Sequence, residues 1–377
     1  MQTYQTYIWQ NSDWPHFTYD PTKFHDMIQE IRYQQGLLEG VCNGLTTERL
    51  LEMQSETLAL DAVTTSEIEG EVLSRDSVRS SIFKKLGISY ESQDRSTVQT
   101  DGLIDILLDA SRNTAKTFDV NRLYSWHAAL FPTGYSGMHK INVASYRGDD
   151  PMQVVSGHIG KEKVHYIAPP RNIVEDEMQR FFDFINIPTN ENGYVRAAIA
   201  HLWFVIIHPM DDGNGRIARA LSDMMLSRAE NSPIRLYSMS SAINDSKRSY
   251  YDILELTTTG TIDISAWIEW FLQTVLTAQK NAHLTIEKVV AKARFWQLHI
   301  HNDLNPRQKK VLNRLLDAGK EGFEGGMNAR KYASLCDCSR VTASRDLSDL
   351  LDKGCIKSRG AGGRSTAADD ADAVRRG

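Results

Sequence analysis

The sequence YVRAAIAHLWFVIIHPMDDGNGR, residues 194–216, joins a long apolar run to a short polar turn. The run from Tyr194 to Ile207 is apolar and long enough to predict a buried helix, and Pro209 lacks the backbone N–H that would continue it. Apolar residues recur at helical spacing over 217–228, which predicts a second helix. Gly213–Gly215 are therefore expected at a helix N-terminus.

The residues around this turn carry the groups that phosphate chemistry needs. Free N–H groups and the helix dipole at Gly213–Gly215 attract an anion, and Arg216 and Arg219 can clamp phosphate oxygens from one side of the helix. Asp212 offers a hard oxygen ligand for Mg²⁺, and His208 can accept a proton near neutral pH. Each piece alone also fits a capping histidine, an ordinary turn or a solvated arginine pair, but their order at one junction favours a phosphate site.

This stretch resembles the signature of the Fic family, His-Pro-Phe-x-Asp/Glu-Gly-Asn-Gly/Lys-Arg. Residues 208–216 read HPMDDGNGR, so only Met210 departs from it, and that flexible hydrophobic side chain can fill the same core position. The resemblance implies a mainly α fold, with a Fic-type helical core and a β-hairpin flap. It also implies the transfer of AMP from ATP to a hydroxyl group of a target protein, with release of pyrophosphate.

The resemblance assigns roles to the residues of the turn. It implies that His208 deprotonates a Ser, Thr or Tyr of the target protein and that Asp212 holds Mg²⁺, with ATP as the substrate. Because the reaction is an in-line attack at the α-phosphorus, catalysis consists mostly of positioning and charge stabilisation. The nucleotide-binding residues that it implies here are Gly213, Asn214, Gly215, Arg216 and Arg219.

A second motif lies far upstream, in TSEIEG at residues 65–70. It resembles the Ser/Thr-x-x-x-Glu-Gly/Asn pattern of the inhibitory helix of Fic proteins, with Thr65 as its first residue. An apolar helical face precedes it, and Gly70 is a suitable C-terminal stop. The resemblance implies that Glu69 forms a salt bridge with Arg216 and takes the space of the γ-phosphate, which would hold the enzyme inactive.

Two short β-prone runs, residues 152–157 and 164–170, flank a turn that contains Gly and Lys, and they predict a hairpin. The hairpin resembles the Fic flap, which holds a segment of the target protein by main-chain pairing. An ordinary surface hairpin is the open alternative. As a flap, it would lie over the nucleotide with Val154, Val155, Ser156 and Gly157.

Downstream, Tyr250 and Tyr251 stand where the Fic family has a Tyr pair near the adenine. The resemblance makes Tyr251 a nucleotide-binding candidate, and Asn244 is a nearby polar one. Thr258 stands where the family has an Asn, so the sequence departs from the family at this position.

Composition agrees with a globular protein of more than one domain. The 377 residues carry a net charge of −5, so the whole chain is not a general binder of polyanions. No apolar run reaches the length of a membrane span, and MQTYQTYIWQ at the N-terminus lacks a secretory signal. We therefore expect a cytoplasmic protein without a membrane partner, in which the four cysteines are reduced thiols.

The C-terminal part reads as a different domain, with an excess of Lys and Arg over Asp and Glu. Three helical segments and a hairpin with Gly and Arg predict a winged helix-turn-helix. Residues facing a DNA groove would be Ser339, Arg340, Thr342, Ser344 and Arg345, with Arg359 and Arg364 on the wing. A protein-binding or dimer-forming module is the alternative reading.

The chain is thus expected to divide into five regions. They are an aromatic N-terminal extension (1–35), a helical region with the inhibitory helix (36–110), the Fic catalytic core with its flap (111–290), a winged helix-turn-helix (300–365) and a disordered tail (366–377).

A second function from another class stays open on the sequence alone. The chain could be a DNA-binding transcriptional regulator, binding DNA through residues 300–365, whose Fic core senses nucleotide or removes AMP from targets. The same fold could also use other nucleotides or attach phosphocholine, and a homodimer is also open. The arginines at 216 and 219 favour ATP.

Overall fold

The computed structural model describes residues 6–88, 94–156, 163–317, 326–358 and 368–369. The chain forms two compact units, residues 1–282 and 283–377, and the fold is mainly α, as predicted. The helices are α1 (His25–Asn43), α2 (Thr47–Ile68), α3 (Arg75–Leu86), α4 (Val98–Arg112), α5 (Val120–Leu130), α6 (Val174–Asn186), α7 (Gly193–Ile207), α8 (Asn214–Glu230), α9 (Met239–Asp245), α10 (Lys247–Thr258), α11 (Ser265–Leu298), α12 (Pro306–Asp317), α13 (Ala329–Cys336) and α14 (Arg340–Asp352).

Helix α7 is the buried helix that the sequence predicts. Its residues Ala197, Ala198, Leu202, Phe204 and Ile206 are fully buried, so the helix is enclosed by apolar neighbours rather than amphipathic. It packs closely against α8. Among the described residues, no helix combines the length and the apolar character needed to cross a bilayer.

Helix α8 begins at Asn214, inside the glycine turn and just before the predicted start after Gly215. Gly213 caps it with a φ of +79°, a conformation that glycine adopts without strain. Periodicity missed this first turn because Asn214 and Gly215 are not apolar, although Asn214 is buried. The glycine turn thus continues directly into the helix.

Helix α2 begins after the N-cap Thr46, whose hydroxyl accepts a hydrogen bond from the N–H of Arg49. It ends at Ile68, where Gly70 has a φ of +81° and its N–H donates to the carbonyl of Glu67. The predicted stop at Gly70 is therefore confirmed, and Glu69 lies at the helix C-cap.

The strands are β1 (Tyr135–Ser136), β2 (His139–Lys140), β3 (Gln153–Ser156), β4 (Lys163–Ile167), β5 (Lys357–Ser358) and β6 (Ala368–Asp369), and they form three antiparallel pairs. The β3–β4 pair is the predicted hairpin, with an irregular register between Val154 and Val155. The β1–β2 pair was not predicted, because two-residue strands leave no alternating pattern to detect.

The aromatic N-terminal segment packs on the core. The indole N–H of Trp9 donates to the carbonyl of Ile167 at 2.8 Å, and that of Trp14 donates to a carboxylate oxygen of Glu177 at 2.8 Å. The rings of Trp14 and Phe17 also meet Trp203 of α7 edge to face. These contacts join the segment to the rest of the first unit.

The second unit has a hydrophobic core of its own, which includes Phe295, Val311, Leu312, Tyr332 and Leu350. Helices α12, α13 and α14 and the β5–β6 pair occur in the order expected of a winged helix-turn-helix, which remains a prediction. Ala368–Asp369 lie in the predicted disordered tail, yet they pair with β5 because backbone pairing needs no apolar side chain. Arg359 and Arg364 lie outside the described residues.

Candidate active site

The turn between α7 and α8 is built from side chains that hold its main chain. The side chain of Asn214 accepts a hydrogen bond from the N–H of Met210 at 3.0 Å and donates one to the carbonyl of the same residue at 2.8 Å. Met210 is fully buried, as the Fic-like interpretation requires of this position. The Asn214 side chain is thus engaged with the turn, and only its backbone remains to meet a phosphate.

His208 follows α7 in a left-handed conformation, with a φ of +51°, and its backbone N–H still donates to Phe204. Its Nδ1 lies 3.2 Å from the carbonyl oxygen of Val205. A carbonyl only accepts, so Nδ1 carries the proton and Nε2 keeps its lone pair. Burial lowers the pKa of His208, which keeps the ring neutral near pH 7 and able to act as a base.

Asp212 has its carboxylate at the start of the turn. One oxygen accepts a hydrogen bond from the Ser136 hydroxyl, and the other accepts from the N–H of Gly213 at 2.5 Å. Among the described residues, no three His, Cys, Asp or Glu side chains cluster in a way that could hold a metal. One carboxylate beside a phosphate site still fits Mg²⁺, which commonly binds one or two carboxylates together with substrate phosphates.

Two residues that the sequence did not single out support the turn. The N–H of Ala144 donates to Nδ1 of His127 at 3.2 Å, so Nε2 of this ring must donate to the carbonyl of Asp212, also at 3.2 Å. Asp211 accepts hydrogen bonds from the N–H groups of Asn142 and Gly148. No sequence pattern marked these contacts, since each joins the turn to a segment more than 60 residues away.

The predicted salt bridge between Glu69 and Arg216 is wrong. Glu69 Oε1 lies 2.7 Å from Arg219 Nη2, and Arg216 Nη1 instead lies 2.8 Å from an oxygen of Glu71. The reason is the direction of each arginine: Arg219 turns toward α2, whereas the Arg216 guanidinium lies over the ring of Phe131 at 5.0 Å. Both arginines are nonetheless paired to carboxylates from the end of α2.

Arg219 is the most enclosed of these groups, with 2% of its surface exposed. Its Nε donates to the hydroxyl of Thr65 at 2.7 Å, and its Nη2 donates to the Thr65 carbonyl at 3.0 Å. Burial alone would lower the pKa of Arg219, but the Glu69 carboxylate and the neighbouring Tyr250 and Tyr251 together outweigh it and raise the pKa. Thr65 therefore orients the arginine that Glu69 neutralises.

The Glu69 carboxylate also lies against the first turn of α8. A Cβ atom built on Gly215 would stand 2.2 Å from Glu69 Oε1, so only glycine leaves room for the carboxylate there. Helix N-termini attract anions because their first N–H groups are unpaired and the dipole is positive. Glu69 thus places a negative charge where a phosphate is expected.

The hairpin and α10 lie next to each other. His165 of β4 and Glu255 of α10 lie within hydrogen-bond distance, with Nδ1 2.6 Å from the carboxylate. Val154 is half-buried and Val155 is exposed, and both belong to β3 together with Ser156. Gly157, the fourth predicted flap residue, lies outside the described residues.

Tyr251 and Asn244, the predicted adenine contacts, hold the end of α2 in this structure. The Tyr251 hydroxyl donates to the carbonyl of Ile68 at 3.1 Å, and the Asn244 amide donates to the Glu67 carboxylate at 3.0 Å. Lys247, which the sequence did not single out, donates to the Glu67 carbonyl at 3.1 Å. In this structure these polar groups therefore fix the segment that carries Glu69.

Comparison with known proteins identifies the family of the region that contains the site. A family model described as Fic/DOC family matches residues 117–226, which include the turn and both arginines, and one described as a domain of unknown function (DUF4172) matches residues 7–88. The chain therefore contains a domain of the Fic/DOC family.

Two curated relatives match part of the chain. Uridine 5'-monophosphate transferase of Xanthomonas campestris pv. campestris is 26% identical over 138 residues, which is 32% of this chain and 26% of that protein. Protein adenylyltransferase Fic of Drosophila willistoni is 33% identical over 119 residues, which is 30% of this chain and 22% of that protein. The matched region thus spans about a quarter of each relative.

Two solved structures share the fold. A Fic family protein from Desulfovibrio desulfuricans G20 has a TM-score of 0.53 at 18% identity, covering 94% of this chain and 98% of that chain. Fic-1 (residues 134–508) from C. elegans has a TM-score of 0.50 at 20% identity, covering 71% of this chain and 75% of that chain. At these identities the likeness concerns the fold alone.

Proposed function

We propose that this protein transfers AMP from ATP to a hydroxyl group of a target protein, and that Glu69 holds it inactive. The observation that carries the proposal is the pairing of two buried arginines at the start of α8 with carboxylates, next to a neutral histidine. Such a site suits a polyphosphate as soon as the carboxylates leave. The names of the two curated relatives support nucleotide transfer as the reaction class.

In the proposed reaction, the target's hydroxyl oxygen attacks the α-phosphorus of ATP. Nε2 of His208 accepts the hydroxyl proton, the bond between the α-phosphorus and the bridging oxygen breaks, and pyrophosphate leaves. The first turn of α8 and Arg216 and Arg219 stabilise the charge of the leaving group. Asp212 would hold Mg²⁺, which offsets phosphate charge when it is bound.

Glu69 is proposed to inhibit by occupation. Its carboxylate lies on the first turn of α8 and neutralises Arg219, so a triphosphate would have to displace it. Two negative groups cannot share one buried guanidinium and one helix N-terminus without strong repulsion. Movement of the end of α2 would therefore be required before ATP binds productively.

Labelled ATP with Mg²⁺ tests the proposal on the native protein, Glu69→Gly and His208→Ala. We expect label on protein to rise in Glu69→Gly and to vanish when His208→Ala is added, whereas the exposed His16→Ala serves as a control without effect. Labelled UTP in parallel distinguishes AMP from UMP transfer. If Glu69→Gly transfers label to protein neither from ATP nor from UTP, the proposed function is refuted.

A second candidate function, DNA binding, is favoured by the outer face of α14. Arg340, Ser344 and Arg345 are exposed on this helix, and Ser339 caps its N-terminus. Such a face can meet phosphates and base edges. Retention of DNA that weakens with salt and is lost in Arg340→Ala/Arg345→Ala would support it, and unchanged retention in that variant would contradict it.

A further inference from the structure

The chain reverses direction immediately after Glu69. Gly70 adopts a φ of +81°, and the N–H of Glu71 donates back to the carbonyl of Ser66 at 2.9 Å. This closure is the usual way in which a left-handed glycine ends a helix. Because of it, the side chain that follows the glycine returns toward α8 and does not continue along the axis of α2.

The returning side chain meets the second arginine of the site. Glu71 Oε2 lies 2.8 Å from Arg216 Nη1. The Arg216 side chain is 7% exposed and rests on the ring of Phe131, and its buried Nε has no hydrogen-bond partner among the residues that the structure describes. The Arg216 guanidinium is thus held in place and still has an N–H group available to donate to an anion.

Glu71 differs from its partner in that 45% of its side chain is exposed. A half-exposed carboxylate can leave for water at little cost, whereas the enclosed guanidinium would remain in place and unpaired. The pair therefore combines a releasable anion with a cation oriented for another anion. A phosphate oxygen is the natural replacement because guanidinium groups bind phosphates through paired N–H donors.

We propose that Glu71 is a second inhibitory residue, which competes with the outer phosphates of a nucleoside triphosphate for Arg216 while Glu69 competes for Arg219. The inference rests on the proposed function, because it requires that both arginines bind the triphosphate. It follows that removal of Glu69 alone frees only one arginine. Glu71 then contributes the remaining part of the inhibition.

Nucleotide binding tests this without any transfer step. Two parent proteins are used, His208→Ala and His208→Ala/Glu69→Gln, and Glu71→Gln is added to each. Calorimetry measures the affinity of each protein for a non-hydrolysable ATP analogue with Mg²⁺ and for AMP. We expect Glu71→Gln to tighten binding of the analogue about three- to tenfold in both backgrounds, as for one charge-assisted hydrogen bond that is partly exposed. AMP should bind unchanged because it lacks the outer phosphates.

Glu56→Gln removes an exposed carboxylate of α2, which makes the same charge change away from the site, and should alter neither affinity. The inference would be overturned if Glu71→Gln left the affinity for the analogue unchanged in both backgrounds. It would also be overturned if the affinity for AMP rose equally, or if no variant bound the analogue. Thermal unfolding verifies that each variant is folded. Analogue binding that responds to Glu71→Gln, with no label transfer by Glu69→Gly, would reject the proposed function alone.

Discussion

Replacement of Glu69 by glutamine should change stability and nucleotide affinity in opposite directions. The substitution keeps the size of the side chain but removes the charge that lies 2.7 Å from Arg219 Nη2. Without nucleotide, an almost completely buried guanidinium loses its counter-charge, so the protein is less stable. With a triphosphate, the carboxylate that competes for the same site is gone.

The magnitude follows from the geometry of the pair. A hydrogen bond to a charged group contributes about 1.5–3 kcal/mol, and the Glu69 side chain is 32% exposed, so solvent screening reduces the loss to about 1–2 kcal/mol. Released from this competition, a triphosphate should bind about five- to thirtyfold more tightly, since every 1.4 kcal/mol is a factor of ten. Both effects have the same origin and should be of comparable size.

The assay is thermal unfolding of the native protein and Glu69→Gln, with and without a non-hydrolysable ATP analogue and Mg²⁺, combined with calorimetric titration. We expect the variant to melt lower without nucleotide and to gain more from the analogue than the native protein does. Glu56→Gln controls for the loss of one negative charge from α2. A variant with native stability and native affinity would refute the reasoning, because the Glu69 carboxylate would then not occupy a phosphate site.

Three further outcomes are expected. Asn214→Ala should cost about 2 kcal/mol in denaturant unfolding, because both main-chain groups of Met210 lose a partner. The pH at which label transfer by Glu69→Gln falls to half should lie below 6.5, because burial lowers the pKa of the proposed base His208. Asp61→Asn should melt higher than the native protein at pH 8, with a smaller gain at pH 5. Burial and then the Asp223 charge raise the Asp61 pKa to about 7, so its stabilising protonated form is lost as pH rises through that value.

Each of these three has a distinct contradictory outcome. Native stability of Asn214→Ala would mean that the turn does not depend on that side chain. A rate that falls with an ordinary histidine pKa would place His208 in water rather than among buried neighbours. A gain for Asp61→Asn that is equal at both pH values would reject a raised pKa, and Glu56→Gln serves again as the exposed control on α2.

Much of the candidate site could be predicted because it is local in sequence. The order of His208, Asp212, the glycine turn and the two arginines is read directly from residues 208–219, and the apolar run before it predicts α7. Gly70 likewise marked the end of α2 by its conformational freedom. The contacts made by Ser136 and His127 could not be predicted, because their partners are brought close only by folding.

The sequence alone could not predict which carboxylate pairs with which arginine. Arg216 and Arg219 are separated by about 60° around a helix with 3.6 residues per turn, so either could face α2. The rotation of α8 decides between them, and in the structure the Arg216 guanidinium lies over the ring of Phe131 while Arg219 meets Glu69. The contact between Glu71 and Arg216 could not be predicted for a related reason, since it depends on the chain reversal at Gly70.

The sequence by itself determined the elements and the chemical groups of this protein: a buried helix, a glycine turn, a second helix with two arginines and a glycine-ended helix that carries acids. These follow from side-chain periodicity and backbone freedom, which act over a few residues. Only the tertiary structure decided that Glu69 meets Arg219, that Glu71 meets Arg216 and that Tyr251 and Asn244 hold the end of α2. Ion pairs and hydrogen bonds act over a few ångströms, and the packing of distant segments sets those distances.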